Sequence, residues 1–381
     1  MRHILHNSPP ASGLGWVGVI GMMLLAACGS SGSSPVATAP TVQSPVVDVA
    51  SPSWSGPPRK LLFAGYGGTT PKTMGDLEYF LPVVKGWYRE LGIEFEKLNM
   101  PTTPQFAALD ARQVDAIQDD INVPATRRQG LDPVVVFNNS NTGNFHGVAR
   151  PGLNIRDPNA WVGMRCRVAG LKDFTNIYLA KMIKTLGGDP LKVQYTAAAQ
   201  GGGFKDTTNG LLAGTFDCNN MGMPELAYGL RHGLQDMGYV PDLMPVPSQG
   251  VTVSASRLAE DVEYRRLVKD FIRALLRAKE YYTNPANRTE IIALVMDWSD
   301  RPPELERADF EQALDERLRL MTRSGKINDP QSYRLLFTTG FETGILDPRE
   351  FPIDYTQYDF REILNYTLID QALADEGMSA R

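Results

Sequence analysis

The residues in this sequence best suited to holding a small molecule are glycines and uncharged polar residues in loops, with a few carboxylates among them. Tyr66, Gly67, Gly68 and Thr69 follow the apolar run 60–64; backbone at the glycines can approach a small molecule closely, and turn formation alone explains them as well. Asp119 and Asp120 come just before a helix starting near Pro124, where a carboxylate could accept from a ligand N–H or simply cap the helix. Asn139 and Asn141, in the asparagine-rich stretch 138–144, offer donors and acceptors for amide or ring-nitrogen groups, and equally describe a polar surface loop. Thr175, Asn176 and Tyr178 surround a helix N-terminus that suits an anionic or polar group. Gly202 lies in a flexible run, 200–203, and Met223 and Glu225 open a further helix. Tyr79 and Phe80 could stack on a planar ligand.

Catalytic patterns are missing. Beyond the first 27 residues the only histidines are His146 and His232, with no Cys or carboxylate partners at the spacing a zinc site requires. No G-x-S-x-G elbow occurs, and Gly201-Gly202-Gly203 lacks the Lys-Ser/Thr of a phosphate loop. Neither a metal nor a cofactor is expected. The net charge is -5, and no basic cluster interleaved with aromatics supplies a nucleic-acid surface.

These loops need strands and helices to hold them. A chain of 381 residues, 43% hydrophobic and 21% charged, exceeds what one core usually organises, so two halves are expected. Short apolar runs at 60–64, 93–98, 115–118 and 134–137 alternate with helical patterns, which argues a parallel α/β sheet. Runs at 165–169, 192–196 and 216–219 repeat the unit, followed by a strand at 251–253 and a long helix over 263–282. The apolar spacing of Leu77, Phe80, Leu81, Val84, Trp87, Tyr88 and Leu91 predicts one helix closed by Gly92, weakened or kinked at Pro82. Ligands in such sheets sit beyond the carboxyl ends of strands, the rule that selects the loops above.

The N-terminus reads as a targeting device. Arg2 precedes an apolar run, 14–27, too short to span a membrane comfortably, and it ends in Leu25-Ala26-Ala27-Cys28-Gly29. This resembles the bacterial lipobox, in which two small residues fit the lipoprotein signal peptidase and the cysteine thiol takes a diacylglyceryl group. Residues 1–27 are then a signal peptide and Cys28 is the lipidated residue. Residues 28–58, rich in Gly, Ser, Pro, Ala, Thr and Val, read as a disordered tether. The folded body is expected to begin near Arg59, held at the outer face of the cytoplasmic membrane or in the periplasm.

The order of segments, together with local motifs, is similar to the periplasmic binding proteins that serve ABC importers of sulfonates, taurine, nitrate and thiamine-pyrimidine precursors. Gly86-Trp87-Tyr88-Arg89-Glu90-Leu91-Gly92-Ile93-Glu94-Phe95 resembles that family's helix-and-strand signature. Residues 107–117 resemble "A-L-x-x-G-Q-V-D", with Arg112 where glycine is usual, and residues 212–218 resemble its counterpart "L-x-x-G-x-V/F-D-A" in the second half. Met223-Pro224-Glu225 is similar to a proline-bearing helix start at the cleft, and 337–346 to the family's closing "G-I/L".

The resemblance implies an α/β, two-lobe type II periplasmic binding fold, each lobe a mostly parallel sheet flanked by helices. Lobe I would comprise residues 59–149 and 246–381, with helices from the C-terminus wrapping it, and lobe II residues 150–245. It further implies a monomeric binding module, not an enzyme, that hinges shut on a small organic molecule and docks on an ABC permease; no nucleic-acid partner is expected, on the charge argument above. The asparagines and paired aspartates lean toward a nitrogen-containing aromatic ligand. The alternative is an enzyme on the same scaffold, a surface hydrolase or a thiamine-pyrimidine synthase, although the cysteine-rich iron motif of the latter is absent; His146 beside a carboxylate at the cleft mouth would favour that alternative. Cys166 and Cys218 would start neighbouring strands if the second-lobe order is 2-1-3, so a disulfide and two buried thiols both stay open.

Overall fold

The computed structural model describes residues 54–65, 69–197, 203–299, 301–349 and 354–379. The signal segment, Cys28, the tether up to residue 53, and Tyr66, Gly67, Gly68 and Gly202 lie outside the described residues. Among the described residues there are ten strands: β1 (Arg59–Gly65), β2 (Ile93–Asn99), β3 (Ala116–Ile117), β4 (Pro133–Ser140), β5 (His146–Ala149), β6 (Arg165–Val168), β7 (Gln194–Ala197), β8 (Cys218–Met221), β9 (Gln235–Tyr239) and β10 (Ser248–Ser254). They form two five-stranded sheets, ordered β2-β1-β3-β10-β4 and β7-β6-β8-β5-β9. In the first sheet β1 pairs in parallel with β2 and β3, and only β10 runs against its neighbours. In the second, β6 is parallel to β7 and β8, and only β5 is reversed. In each sheet the reversed strand is the one that arrives from the other sheet, so the two sheets share one design. The chain crosses between residues 140 and 146 and returns between 239 and 248.

Leu61, Phe63 and Ala64 of β1 and Val134 to Phe137 of β4 are buried, as expected of strands covered on both faces. The helix Val262–Thr283 covers the first sheet, its Phe271 ring lying 5.6 Å from Phe63 and 6.0 Å from Phe95. The helix Thr367–Asp375 packs along it, with Lys269 2.7 Å from Asp375. The C-terminal region does not wrap the first half alone. The helix Tyr333–Glu342 lies against Phe174–Thr185 of the second half, and the chain then returns to the first sheet, where Asn365 N donates to Val135 O.

Several sequence expectations change in the folded chain. β5 and β9 were not expected: each contains a glycine and lacks a β-branched run, so pairing with β8 and with each other makes them strands. β4 runs through Asn138, Asn139 and Ser140, which converts half of the expected asparagine loop into buried strand. The single helix expected over 77–91 is two, Leu77–Lys85 and Trp87–Glu90, divided at Gly86 (φ 76°) rather than at Pro82. Trp54, assigned to the tether on composition, stacks 3.9 Å from the Arg59 guanidinium and donates to Pro57 O. Arg112, standing where glycine is usual, takes the left-handed conformation (φ 57°) that ends the helix Thr102–Asp110.

Candidate functional site

A cavity of about 250 Å³ opens between residues of the two halves. From the first half, the segment Lys72 to Asp76 lines it after β1, Gln118 at the end of β3, Ser140 at the end of β4, and Ser248 and Gln249 at the start of β10. From the second half come Asn144 and Phe145 of the crossing segment, Arg167 and Val168 at the end of β6, Thr175, and Asn219 to Met223 with Glu225 around the end of β8. Arg317, Leu320 and Met321 complete one wall. The strand-end rule that selected loops in the sequence therefore also describes the cavity.

The apolar part of the wall is sulfur-rich, with Met74, Met221, Met223 and Met321 and one aromatic ring, Phe145. Thioether side chains fit irregular shapes and contact aromatic faces favourably. The polar part combines the donors Lys72, Arg167 and Arg317 with three amide oxygens that have no hydrogen-bond partner. Gln118 is 4% exposed, yet its Oε1 has no hydrogen-bond partner. The Oε1 of Gln249 and the Oδ1 of Asn220 are likewise unpartnered, although Asn220 Nδ2 donates to Thr175 O at 3.0 Å. Buried amide oxygens left bare are costly unless a ligand or water meets them. Gln249 also sits in the left-handed region (φ 64°) without being glycine, the kind of backbone strain that accumulates where a side chain must be aimed. At Gly65 an added Cβ would lie 2.6 Å from Gln118 Oε1, so the end of β1 must be glycine to admit that amide.

Charged groups in the wall are unequally committed. Asp76 accepts from Lys72 N, Thr73 N and Thr73 Oγ1 and stands 3.4 Å from Lys97 Nζ. Arg317 is paired with the buried Glu78, whose Oε1 also accepts from Tyr282 OH at 2.8 Å. Glu225 has no hydrogen bond or ion pair to another side chain among the described residues; burial, with the Asp76 charge adding to it, pushes its carboxyl up to about 7.

Of the expected ligand contacts, Thr175, Met223 and Glu225 line the cavity. The Thr175 hydroxyl is already engaged, donating to Asp173 Oδ1 at 2.7 Å and accepting from Ala169 N. Thr69 is exposed, and Tyr79 and Phe80 belong to the first-sheet core. Asp119 caps the next turn, accepting from Asn122 N and Nδ2; burial raises it to about 7. Asp120 accepts from Tyr333 OH (2.7 Å) and Asn138 Nδ2 (2.8 Å), Asn139 donates to Tyr79 OH, and Asn141 accepts from Asn328 N. Asn176 donates to Leu171 O and Tyr178 is buried beneath the helix it belongs to. Asp120 and Asn139 lie outside the cavity lining because hydrogen bonds to Asn138, Tyr333 and Tyr79 hold them in the core, whereas Thr69 lies on the surface.

Sequence reasoning missed Gln118, Asn220 and Gln249. The first two sit at or beside the ends of strands that were recognised, so the strand-end rule had the power to find them; Gln249 carries no sequence signal. His146 does stand beside a carboxylate, its Nδ1 3.1 Å from Asp236 Oδ2, but the two lie on paired strands, stacked by Tyr239, and neither lines the cavity. Cys166 and Cys218 face each other across β6 and β8 and form a disulfide, Cα to Cα 4.6 Å. Among the described residues no group of three His, Cys, Asp or Glu is placed to hold a metal, and no helix is long and apolar enough to cross a membrane.

The family model described as NMT1/THI5 like matches residues 78–288, more than half of the chain. No curated protein matches. Among solved structures, the ligand-binding component of an ABC-type import system from Staphylococcus aureus, with zinc bound, is 11% identical; the match covers 85% of this chain and 100% of that one, with a TM-score of 0.58. The aliphatic sulphonate binding protein SsuA of Escherichia coli is 15% identical over 81% of this chain and 92% of its own, TM-score 0.54. The nitrate-binding protein NrtA of Synechocystis PCC 6803 is 11% identical over 83% and 88%, TM-score 0.60. At these identities the likeness establishes the fold, that of periplasmic binding proteins.

Proposed function

The chain belongs to the NMT1/THI5-like family, and we propose that it is the solute-binding lipoprotein of an ABC importer. It captures a small organic molecule between two hinged lobes and delivers it to a membrane permease. The hinges are the two crossings at residues 141–145 and 240–247, and closure brings the two cavity walls onto the ligand. Lipidation at Cys28 holds the exported monomer at the outer face of the cytoplasmic membrane or in the periplasm. The observation that carries this reading is the cavity of about 250 Å³ whose lining is contributed by both sheets.

The ligand we infer is a nitrogen-containing aromatic compound. Methionine walls suit a planar ring, and the bare oxygens of Gln118, Asn220 and Gln249 suit N–H donors. An enzyme of the same scaffold is the second reading; the His146–Asp236 pair, which would favour it at the cleft, lies away from the cavity. Native mass spectrometry of protein purified from its own host tests the proposal. A stoichiometric passenger of small-molecule mass that leaves unchanged and stabilises the apo protein on re-addition is expected. A passenger that is chemically converted on incubation would overturn the binding-module reading in favour of the enzyme.

A further inference from the structure

On the reading that this cavity holds the transported solute, we infer that the solute is a cation whose protonated nitrogen pairs with the Glu225 carboxylate, its remaining N–H groups meeting the amide oxygens of Gln118, Asn220 and Gln249. The argument is one of unmatched groups. Two wall charges are already answered within the protein: Asp76 by Lys97, and Arg317 by Glu78. Glu225 is not; it lines the cavity with no cationic partner among the described residues. A carboxylate taken out of water without a partner is unfavourable, and a bound cation removes that penalty only in the loaded state.

The unpartnered buried atoms of the lining are three amide oxygens and one donor, Arg317 Nε, whose guanidinium is already paired with Glu78. All three unpartnered amide atoms in the lining are oxygens, from β3, β8 and β10, so they accept and do not donate. A basic nitrogen bearing several N–H groups supplies both the charge and the donors. Charge-assisted hydrogen bonds of this kind are about twice as strong as neutral ones, so Glu225 is the specificity-determining residue of the site.

The charged groups facing the ligand space are Lys72, Asp76, Arg167, Arg317 and Glu225. Burial pushes the Glu225 carboxyl up to about 7. Cation capture therefore strengthens as pH rises through that value and weakens as it falls.

Benzamidine, benzamide and benzoate test this directly, because they share one frame and differ in charge. Isothermal titration at pH 8 is expected to rank benzamidine first, by about tenfold over benzamide, with benzoate weakest. Glu225→Gln, checked for a melting temperature no lower than that of the wild-type protein, should bring benzamidine down to the level of benzamide. Lowering the pH to 6 should weaken benzamidine for the wild-type protein and not for the variant. Benzoate binding most tightly, or benzamidine indifferent to Glu225→Gln, overturns the inference and leaves solute binding intact. Should none of the three bind, the host-derived passenger decides: one with a basic nitrogen supports the inference, one without it overturns it, and no passenger at all removes the solute-binding reading as well.

Discussion

Two polar regions of the molecule are built on opposite terms. Behind β4, Asn138 uses both ends of its amide, donating to Asp120 and Tyr333 and accepting from Tyr366 OH at 2.7 Å, while Lys279 Nζ donates to Asn139 O, Thr322 O and Thr322 Oγ1. In the cavity, Gln118, Asn220 and Gln249 leave oxygens bare and Glu225 stands without a cation. Both regions are rich in amides and carboxylates. What separates a structural network from a binding wall is whether its groups are satisfied, which composition does not reveal.

That contrast can be attacked at several points. Asn138→Ala should have the largest effect, about 2 to 4 kcal/mol of lost stability by denaturant unfolding, because it removes one hydrogen bond from the buried Asp120, one from Tyr333 OH and one from Tyr366 OH. Affinity for any cleft ligand should survive in the folded fraction; a variant that keeps its stability and loses binding would reverse the two roles. Cys218→Ser, or reduction, should cost about 2 to 4 kcal/mol by opening a link between residues 52 apart in sequence, again without touching the cleft.

The pH dependence of stability is a third point. The carboxyls of Asp119, Asp173 and Glu225 are raised by burial to about 7, 6 and 7; the folded state then holds more protons than the unfolded one, and their contribution is lost as pH rises from about 4 to 7. Lys279 is lowered by burial to about 7; its contribution is present above its ordinary value of 10.5 and is lost as pH falls to 7. Melting temperature of the apo protein should therefore pass through a minimum near neutral pH, and Lys279→Met should flatten the alkaline side. The smallest effects come from the two left-handed non-glycine residues, Arg112 and Gln249. Glycine at either should raise stability by about 0.5 to 1 kcal/mol. Only Gln249→Gly should weaken ligand binding, since only Gln249 lines the cavity.

The repeating α/β pattern was legible in the residues because buried parallel strands are apolar runs and amphipathic helices follow them: 60–64, 93–98 and 134–137 lie within β1, β2 and β4. β5 and β9 were not, for their strand character comes from partners far along the chain. Of the site, the sequence determined the loops, through the ends of strands, and placed Thr175, Met223 and Glu225 among them. Tertiary structure alone decided that Asn138, Asn139, Asp119 and Asp120 turn inward and that Gln118, Asn220 and Gln249 are left bare. The physical reason is that a polar side chain becomes a recognition group only when packing removes its water and supplies no partner, and both depend on residues distant in sequence.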